Sequence, residues 1–323
     1  NGYAVTWTNG EIIESEYKRG EKFVMNSGQD MRQMYAHHFN FKMRNYDALL
    51  GWEKSKADES QLSVIKALWA KSSVIVNAME PTFEGELAFL NLYWYLRMPV
   101  TVRRAWLSRL RKPLILRGVE NGVYSPDKHE KWLAGELVNF FLEADAVAAE
   151  NAPDIESAEN NPTDEGCDVE LNIVKGQTLH NMVTLWMDAT MELGYDFEPT
   201  FLIAHKLYAK GLISYPYLYQ NGIPGNVYNT MRRDFRVLEH NSRFGEMAKE
   251  VGWLSTRNTF HNDETSYNGH GIVTTGLHPT DLSRDEERLY NLIVRRVIEA
   301  FTPDENDIQK KSRKKRKSCK RAG

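Results

Sequence analysis

Three carboxylates follow a short apolar run in the first half of the chain. Glu80, Glu84 and Glu86 lie in the stretch NAMEPTFEGE, directly after the β-branched run SSVIVNA at residues 72–78. Carboxylate oxygens are the ligands that Mg²⁺ prefers, and Mg²⁺ keeps several waters in such a site. The pattern is compatible with a magnesium site. On spacing alone the commoner role of such residues is to stabilise the positive end of a helix dipole.

A tyrosine in the second half lies where a helix must end. Tyr215 belongs to the stretch GLISYPYLYQ, which follows a helical run and the helix-ending Gly211. A tyrosine hydroxyl has a pKa of about 10, so it acts as a covalent nucleophile only where neighbouring groups activate it. By its position alone, Tyr215 is either such a nucleophile or a packing residue.

Strand and helix patterns alternate in the first half of the chain. Alternating or β-branched runs predict strands, and apolar residues at helical spacing predict helices. The predicted strands cover residues 3–8, 72–78 and 100–108, and the predicted helices cover 61–70, 84–96 and 128–148. This order predicts an α/β fold with a mainly parallel sheet, in which functional sites lie at the carboxyl ends of the strands.

The second half is predicted to be mainly helical. Apolar residues at helical spacing predict helices over residues 178–194, 199–211 and 282–301. The last of these begins with Ser283 and Glu286, the spacing of a capping box. We expect it to pack as the closing helix of this region.

A basic arm follows the last predicted helix. Residues 310–321 read KKSRKKRKSCKR and contain nine lysines and arginines. Such an arm binds nucleic-acid phosphates and releases counterions, although a solubilising or targeting tail has the same composition. The predicted DNA-binding residues are Lys310, Lys311, Arg313, Lys314, Lys315, Arg316, Lys317, Lys320 and Arg321.

An acidic segment divides the chain. Residues 143–170 contain ten acidic residues and no basic one, which is typical of a linker that cannot pack. We therefore expect an α/β domain over residues 1–142, a linker over 143–172, a helical domain over 173–305 and a disordered tail over 306–323.

Composition excludes several classes of protein. The sequence contains no run of the roughly 18 to 20 apolar residues that cross a bilayer, and its amino end lacks the layout of a signal peptide. The two cysteines, Cys167 and Cys319, have no zinc-binding spacing. We expect a monomer without a membrane segment, cytoplasmic and nucleoid-associated in a bacterium or nuclear in a eukaryote.

Several of these segments, in this order, resemble the type IA DNA topoisomerases. The closest similarity is to the topoisomerase III branch, of which this chain looks like a shortened and diverged member. The acidic stretch at 80–87 resembles the metal-binding loop of the family's Toprim domain. Residues 201–216 resemble the helix and strand that present the nucleophilic tyrosine, 268–276 resemble the motif H-A-I-x-P-T, and 282–304 resemble the closing helix.

The resemblance implies a fold and a reaction. The fold is a Toprim-like α/β domain followed by a mainly helical tyrosine domain. The reaction is ATP-independent cleavage and religation of single-stranded DNA through a 5′-phosphotyrosine, which relaxes supercoils. Tyr215 falls on the nucleophile and His270 on the motif's histidine, while Glu80 and Glu84 fall on ligands of Mg²⁺.

The chain departs from the family's pattern at the residues that assist the tyrosine. Tyr217 stands where the family has an arginine, and Thr82 stands where it has an aspartate. The sequence begins beyond the family's first strand, as expected of a fragment or an incomplete gene, and the acidic segment stands where the family has the strands of its DNA gate. We therefore expect impaired activity, with two alternatives. One is an inactive DNA-binding or protein-binding module, and the other is a metal-dependent Toprim-type nuclease that uses Glu80, Glu84 and Glu86.

Overall fold

The computed structural model describes residues 2–8, 10–18, 30–44, 51–123, 126–150, 178–251, 267 and 269–302. The acidic residues 151–172 and the basic arm at 310–321 lie outside these ranges. The strands are β1 (Ile13–Tyr17), β2 (Phe39–Met43), β3 (Val74–Asn77) and β4 (Thr101–Arg104). The helices are α1 (Met31–His38), α2 (Gly51–Trp69), α3 (Phe83–Leu96), α4 (Lys112–Asn121), α5 (Pro126–Glu150), α6 (Met182–Leu193), α7 (Phe197–Ala209), α8 (Gly225–Leu238), α9 (Gly245–Glu250) and α10 (Arg284–Phe301).

The chain forms two compact units. The first comprises Asn1–Leu107 and Ile115–Glu170, and the second comprises Ser108–Leu114 and Leu171–Gly323. Residues 108–114 thus group with the second unit, although the sequence places them in the first domain. Helix α5 continues to Glu150, well into the segment predicted to be a linker.

The sheet prediction is correct only in part. Strands β3 and β4 are parallel and pair Val74 with Thr101. They form a separate sheet from β1 and β2, which are antiparallel and pair Ile13 with Met43. Within the described residues the first unit therefore contains a small parallel sheet and a small antiparallel one, so the predicted parallel pairing is confirmed only for β3 and β4.

The predicted strand at residues 3–8 is wrong. Its apolar members Tyr3, Val5 and Trp7 are exposed, whereas Ile12 and Ile13 are buried in the core. Alternation produces a strand only where one of its faces can be buried. Here the first strand forms ten residues later, where that burial occurs.

Helix α3 joins two apolar clusters of the first unit. Phe89 and Leu92 pack with the cluster that contains Ile13 and Trp69, and Leu90 packs with the cluster that contains Phe141. A helix that is buried on more than one side must be apolar around most of its circumference, which explains the sequence AFLNLYWYL.

A buried ion pair fixes the loop between β3 and α3. The Arg104 guanidinium contacts the Glu86 carboxylate, and both side chains are buried. It also donates hydrogen bonds to the carbonyl oxygens of Asn77, Met79 and Glu80, at 3.2, 2.9 and 2.6 Å. One side chain thus holds the start, the middle and the carboxyl end of the same turn.

In the second unit, the closing helix α10 is the centre of the core. Its buried face includes Leu289, Ile293, Val297 and Phe301. The capping box is confirmed, because the Ser283 hydroxyl accepts from the Glu286 N–H and the Glu286 carboxylate accepts from the Ser283 N–H. The helices predicted in this region are present as α6, α7 and α10. Among the described residues, no helix combines the length and apolarity needed to cross a membrane.

The Glu86 carboxylate is expected to stabilise the first unit above acidic pH. Burial raises its pKa, but His129 and Arg104 lower it more, so the net pKa lies below the ordinary value. A lowered pKa adds stability that is fully present above about pH 4.3 and is lost as the pH falls through the folded-state value. Replacing Glu86 by Gln should lower the free energy of unfolding by about 1.5–3 kcal/mol at pH 7, since it removes a charge-assisted hydrogen bond.

Urea unfolding followed by tryptophan fluorescence checks this prediction. Below pH 4 the difference between Glu86→Gln and wild type should shrink. The exposed Glu84 lies on the same helix, and Glu84→Gln should change stability by less than about 1 kcal/mol, the contribution of a helix-dipole interaction. Equal losses for the two variants would contradict a special contribution from Glu86.

Candidate functional site

Tyr215 lies on an extended segment that begins where α7 ends. Gly211 has φ of 73°, and a Cβ there would lie 2.8 Å from the Leu110 carbonyl oxygen. Glycine is therefore required both for the left-handed backbone and for the close approach. It turns the chain out of the helix and into the stretch that carries Tyr215.

Residues 271–275 pair with this extended segment. Ile213 forms an antiparallel bridge with Thr274. The Ser214 N–H donates to the Val273 carbonyl at 2.8 Å, and the Val273 N–H donates to the Ser214 hydroxyl at 3.0 Å. These bonds bring the histidine motif beside the tyrosine segment, although the two lie far apart in sequence.

The Tyr215 ring is packed among other rings. Only 8% of the residue is exposed, and its backbone N–H donates to the Ser108 carbonyl at 2.8 Å. The ring centroids of His205, Tyr208 and Tyr217 lie 5.4, 5.3 and 5.0 Å away, in edge-to-face geometry. Such pairs stabilise a ring in one orientation. The neighbours on α7 follow from its helical spacing, but the sequence alone did not single them out.

Tyr217 lies between the candidate nucleophile and the candidate histidine. Its ring centroid is 5.0 Å from that of Tyr215 and 5.6 Å from that of His270. The residue is buried. Gly269 has φ of 96°, and any side chain there would collide with the Tyr217 ring. The position at which the resemblance implies an arginine is thus filled by an aromatic ring packed against Gly269.

His270 is held in one tautomer. Its Nδ1 lies 2.8 Å from the Gly271 carbonyl oxygen, and a carbonyl only accepts, so Nδ1 carries the proton. The flanking backbone is fixed as well, because the Gly271 N–H donates to Gly222 and the Ile272 N–H donates to His180, each at 2.7 Å. The ring is buried beside Tyr217. Tyr215, Tyr217 and His270 therefore form one cluster, which we call the tyrosine cluster.

The acidic loop does not assemble a metal site from its described residues. Glu80 and Glu84 are exposed, and Glu86 is paired with Arg104. The Thr82 hydroxyl accepts from the Gly85 N–H at 3.1 Å as the N-cap of α3. In the ranges that the structure covers, no group of three or more histidine, cysteine, aspartate or glutamate side chains could hold a metal ion. The donor set of the described residues does not fit Mg²⁺.

The sequence did not single out Arg104 on β4 and His129 on α5, whose side chains lie beside the Glu86 carboxylate. The His129 Nε2 lies 3.6 Å from the Glu86 carboxylate, and its ring packs on Trp106. A cavity of about 480 Å³ adjoins these groups, and Phe89 also lines it. The sequence carried only a weak signal, because Arg104 lies inside the predicted strand over residues 100–108.

Comparison with known proteins places the tyrosine cluster inside a family match. Residues 167–320 match the family model for DNA topoisomerase. DNA topoisomerase 1 of Alkalihalophilus pseudofirmus is 28% identical over 138 residues, which is 42% of this chain and 19% of that protein. DNA topoisomerase 1 of Methanothermobacter thermautotrophicus is 28% identical over 185 residues, which is 57% of this chain and 23% of that protein.

The matched part of this chain therefore spans about a fifth of the length of these curated relatives. Both Tyr215 and His270 fall within the region that the family model covers. The part of the chain that contains the tyrosine cluster is thus similar to the DNA topoisomerases.

Proposed function

We propose that the second unit carries a type IA transesterification site for single-stranded DNA in which the chemical step is impaired. We also propose that the first unit is Toprim-like. Strand β3, the acidic loop and helix α3 support this assignment. The observation that carries the proposal is Tyr217, a neutral ring between Tyr215 and His270 where an arginine is expected.

In the proposed reaction the Tyr215 hydroxyl oxygen attacks the phosphorus of a DNA phosphodiester. A bond forms between the tyrosine oxygen and the 5′-phosphate, and the bond from phosphorus to the 3′-oxygen breaks. The phenolic proton leaves to a base, and the 3′-oxygen gains a proton. The reverse attack by the 3′-hydroxyl reseals the strand, so the reaction needs neither ATP nor an oxidant.

Two features of the tyrosine cluster would slow this reaction. Negative charge builds on the phosphate oxygens, and a fixed cation stabilises it. Tyr217 is uncharged at neutral pH and cannot replace the planar guanidinium of an arginine. The Tyr215 residue is also only 8% exposed, so the rings packed around it restrict the approach of a DNA strand.

The enclosure of Tyr215 favours one alternative, a DNA-binding module without turnover. In that case the cluster stabilises the fold, and the second unit binds the strand without cleaving it. The nuclease alternative has less support, because Glu86 is occupied by Arg104 and the other two carboxylates are exposed. A nuclease would cleave in a metal-dependent way that survives Tyr215→Phe and fails in Glu80→Ala.

A covalent adduct on Tyr215 is the direct test. A 3′-end-labelled single-stranded oligonucleotide is incubated with the full chain and quenched with denaturant, because a 5′-phosphotyrosyl link retains the 3′ fragment. We expect a low yield of labelled protein on denaturing gels. Tyr215→Phe should abolish it, since the nucleophilic oxygen is lost.

Tyr208→Phe is the control for this experiment. Tyr208 packs against the Tyr215 ring, so the variant perturbs the same cluster without removing the candidate nucleophile. The adduct should persist in this control. If the wild type binds the oligonucleotide tightly but forms no adduct, the transesterification proposal is wrong. The result would then support a DNA-binding module without turnover.

Restoring the arginine should speed cleavage. Tyr217→Arg places a guanidinium between Tyr215 and His270, where it can stabilise the phosphate. We expect the rate of adduct formation to rise by about tenfold or more; the gain stays below the ~100-fold to 1,000-fold contribution of an optimised donor, because burial of the new charge is costly. Single-turnover kinetics with excess protein measures the rate.

Tyr219→Arg is the matched control, because Tyr219 lies two residues further along and is 76% exposed. It adds the same charge outside the cluster and should change binding without changing the rate of adduct formation. If both variants raise the rate equally, the effect is general electrostatics and the role assigned to position 217 is wrong.

A further inference from the structure

An excess of arginine surrounds one buried aspartate in the second unit. Asp234, on α8, is fully buried. The Arg111 Nη1 lies 3.0 Å and the Arg233 Nε 3.5 Å from its Oδ1, and the Arg109 Nη1 lies 3.8 Å from its Oδ2. Three guanidinium groups thus meet one carboxylate. We call this group of four residues the arginine cluster. With three guanidinium groups and one carboxylate, its net charge is +2.

The three arginines are not equivalent. Arg109 is buried and also donates to the Thr230 hydroxyl at 2.6 Å, so it belongs to the interior. Burial lowers its pKa to about 10, Asp234 opposes that shift, and Arg111 and Arg233 add to it by repulsion. The side chains of Arg111 and Arg233 are 17% and 61% exposed, so the uncompensated charge faces solvent.

The outer arginines keep unused donors. A guanidinium has five N–H groups. Within the described part of the chain, the Arg111 and Arg233 side chains each make one hydrogen bond, in both cases to Asp234. Their remaining N–H groups have no acceptor among the described residues. Two planar donors held by one buried acceptor suit an oxyanion, which each could bind in bidentate fashion.

The arginine cluster is anchored to the segments that hold the tyrosine. Ser108, beside Arg109, accepts the Tyr215 N–H at 2.8 Å. Gly276 has φ of 72°, and a Cβ there would lie 2.7 Å from the Asp234 carboxylate. A phosphate bound by the cluster would therefore be held at a fixed offset from the tyrosine cluster within the same unit.

We infer that Arg111 and Arg233 form a phosphate-binding site, oriented by Asp234, for a backbone phosphate of single-stranded DNA. The identity of the strand rests on the proposed function, whereas the affinity for an oxyanion follows from the charges and geometry alone. This site would fix the register of the strand while the tyrosine cluster acts on another phosphate.

Fluorescence anisotropy with labelled oligothymidylate tests the site in the full chain across salt concentrations. Each phosphate contact to a single strand contributes about 0.7 to the slope of log K against log salt. Arg233→Gln should lower that slope by about 0.7 and weaken binding at 0.1 M salt by about fivefold. Because the Arg233 side chain is largely exposed, we expect Arg233→Gln to fold normally. Its melting temperature should match that of the wild type.

Arg236→Gln is the matched control, since Arg236 is exposed on the same helix and lies outside the arginine cluster. It should leave both the slope and the affinity near wild type. Equal losses in the two variants, or no loss in either, would overturn the proposal. Arg111→Lys should keep the slope but lose affinity, because it keeps the charge and loses the bidentate fork.

Free inorganic phosphate is the other source of the same chemistry. If phosphate raises the melting temperature of the wild type but not of Arg233→Gln, while oligothymidylate binding is the same in both, the site binds free phosphate and the DNA assignment is overturned. The adduct assay is independent of this result. A protein without adduct that still shows the Arg233 effect would refute the transesterification and support the phosphate site.

Discussion

The extended segment that carries Tyr215 depends on backbone hydrogen bonds that no helix can supply. Buried N–H and C=O groups must be paired, and a stretch of extended chain in a helical unit has no internal partners. Here residues 271–275 pair with Leu212 and Ser214, and Ser108 accepts the Tyr215 N–H. Because this pairing is obligatory for the backbone, it also fixes the position of His270. The geometry of the tyrosine cluster is thus a consequence of satisfying the main chain.

The same constraint explains how the cluster forms without an arginine at position 217. A guanidinium at position 217 would need acceptors or a bound anion, whereas a tyrosine ring fills the space by packing. Gly269 leaves room for that ring, and the ring in turn contacts Tyr215 and His270. The backbone scaffold of the site and its charge are therefore separable properties. Packing preserves the backbone scaffold and does not require the charge.

Much of the helical architecture was predictable from local chemistry. The spacing of Ser283 and Glu286 predicts the start of α10, where their side chains form a capping box. Strands are harder to predict from the sequence, because a strand needs a partner, and that partner can lie anywhere in the chain. The alternation at residues 3–8 looks like a strand but has no buried face, while β2 forms because Phe39 packs in a core that its own segment does not reveal.

The candidate site shows the same division. Tyr215 and His270 could be singled out from motifs, but their proximity depends on contacts across more than fifty residues. The sequence groups Glu86 with Glu80 and Glu84 as three carboxylates that could bind a metal, whereas in the structure the Glu86 carboxylate contacts Arg104. Its partner Arg104 lies eighteen residues away on β4. Neither segment alone shows that these two side chains meet.

Two buried carboxylates illustrate how charge separates structural groups from binding groups. Arg104 donates to Glu86 and to several carbonyl oxygens, so its guanidinium is largely satisfied by the fold. Asp234 instead lies beside three guanidinium groups whose total charge exceeds its own, and Arg111 and Arg233 remain partly exposed. Keeping like charges together in one cluster costs free energy unless an anion joins them. Arg104, whose N–H groups are used within the fold, therefore stabilises the fold. Arg111 and Arg233 keep unused N–H groups, and a bound phosphate would stabilise this pair.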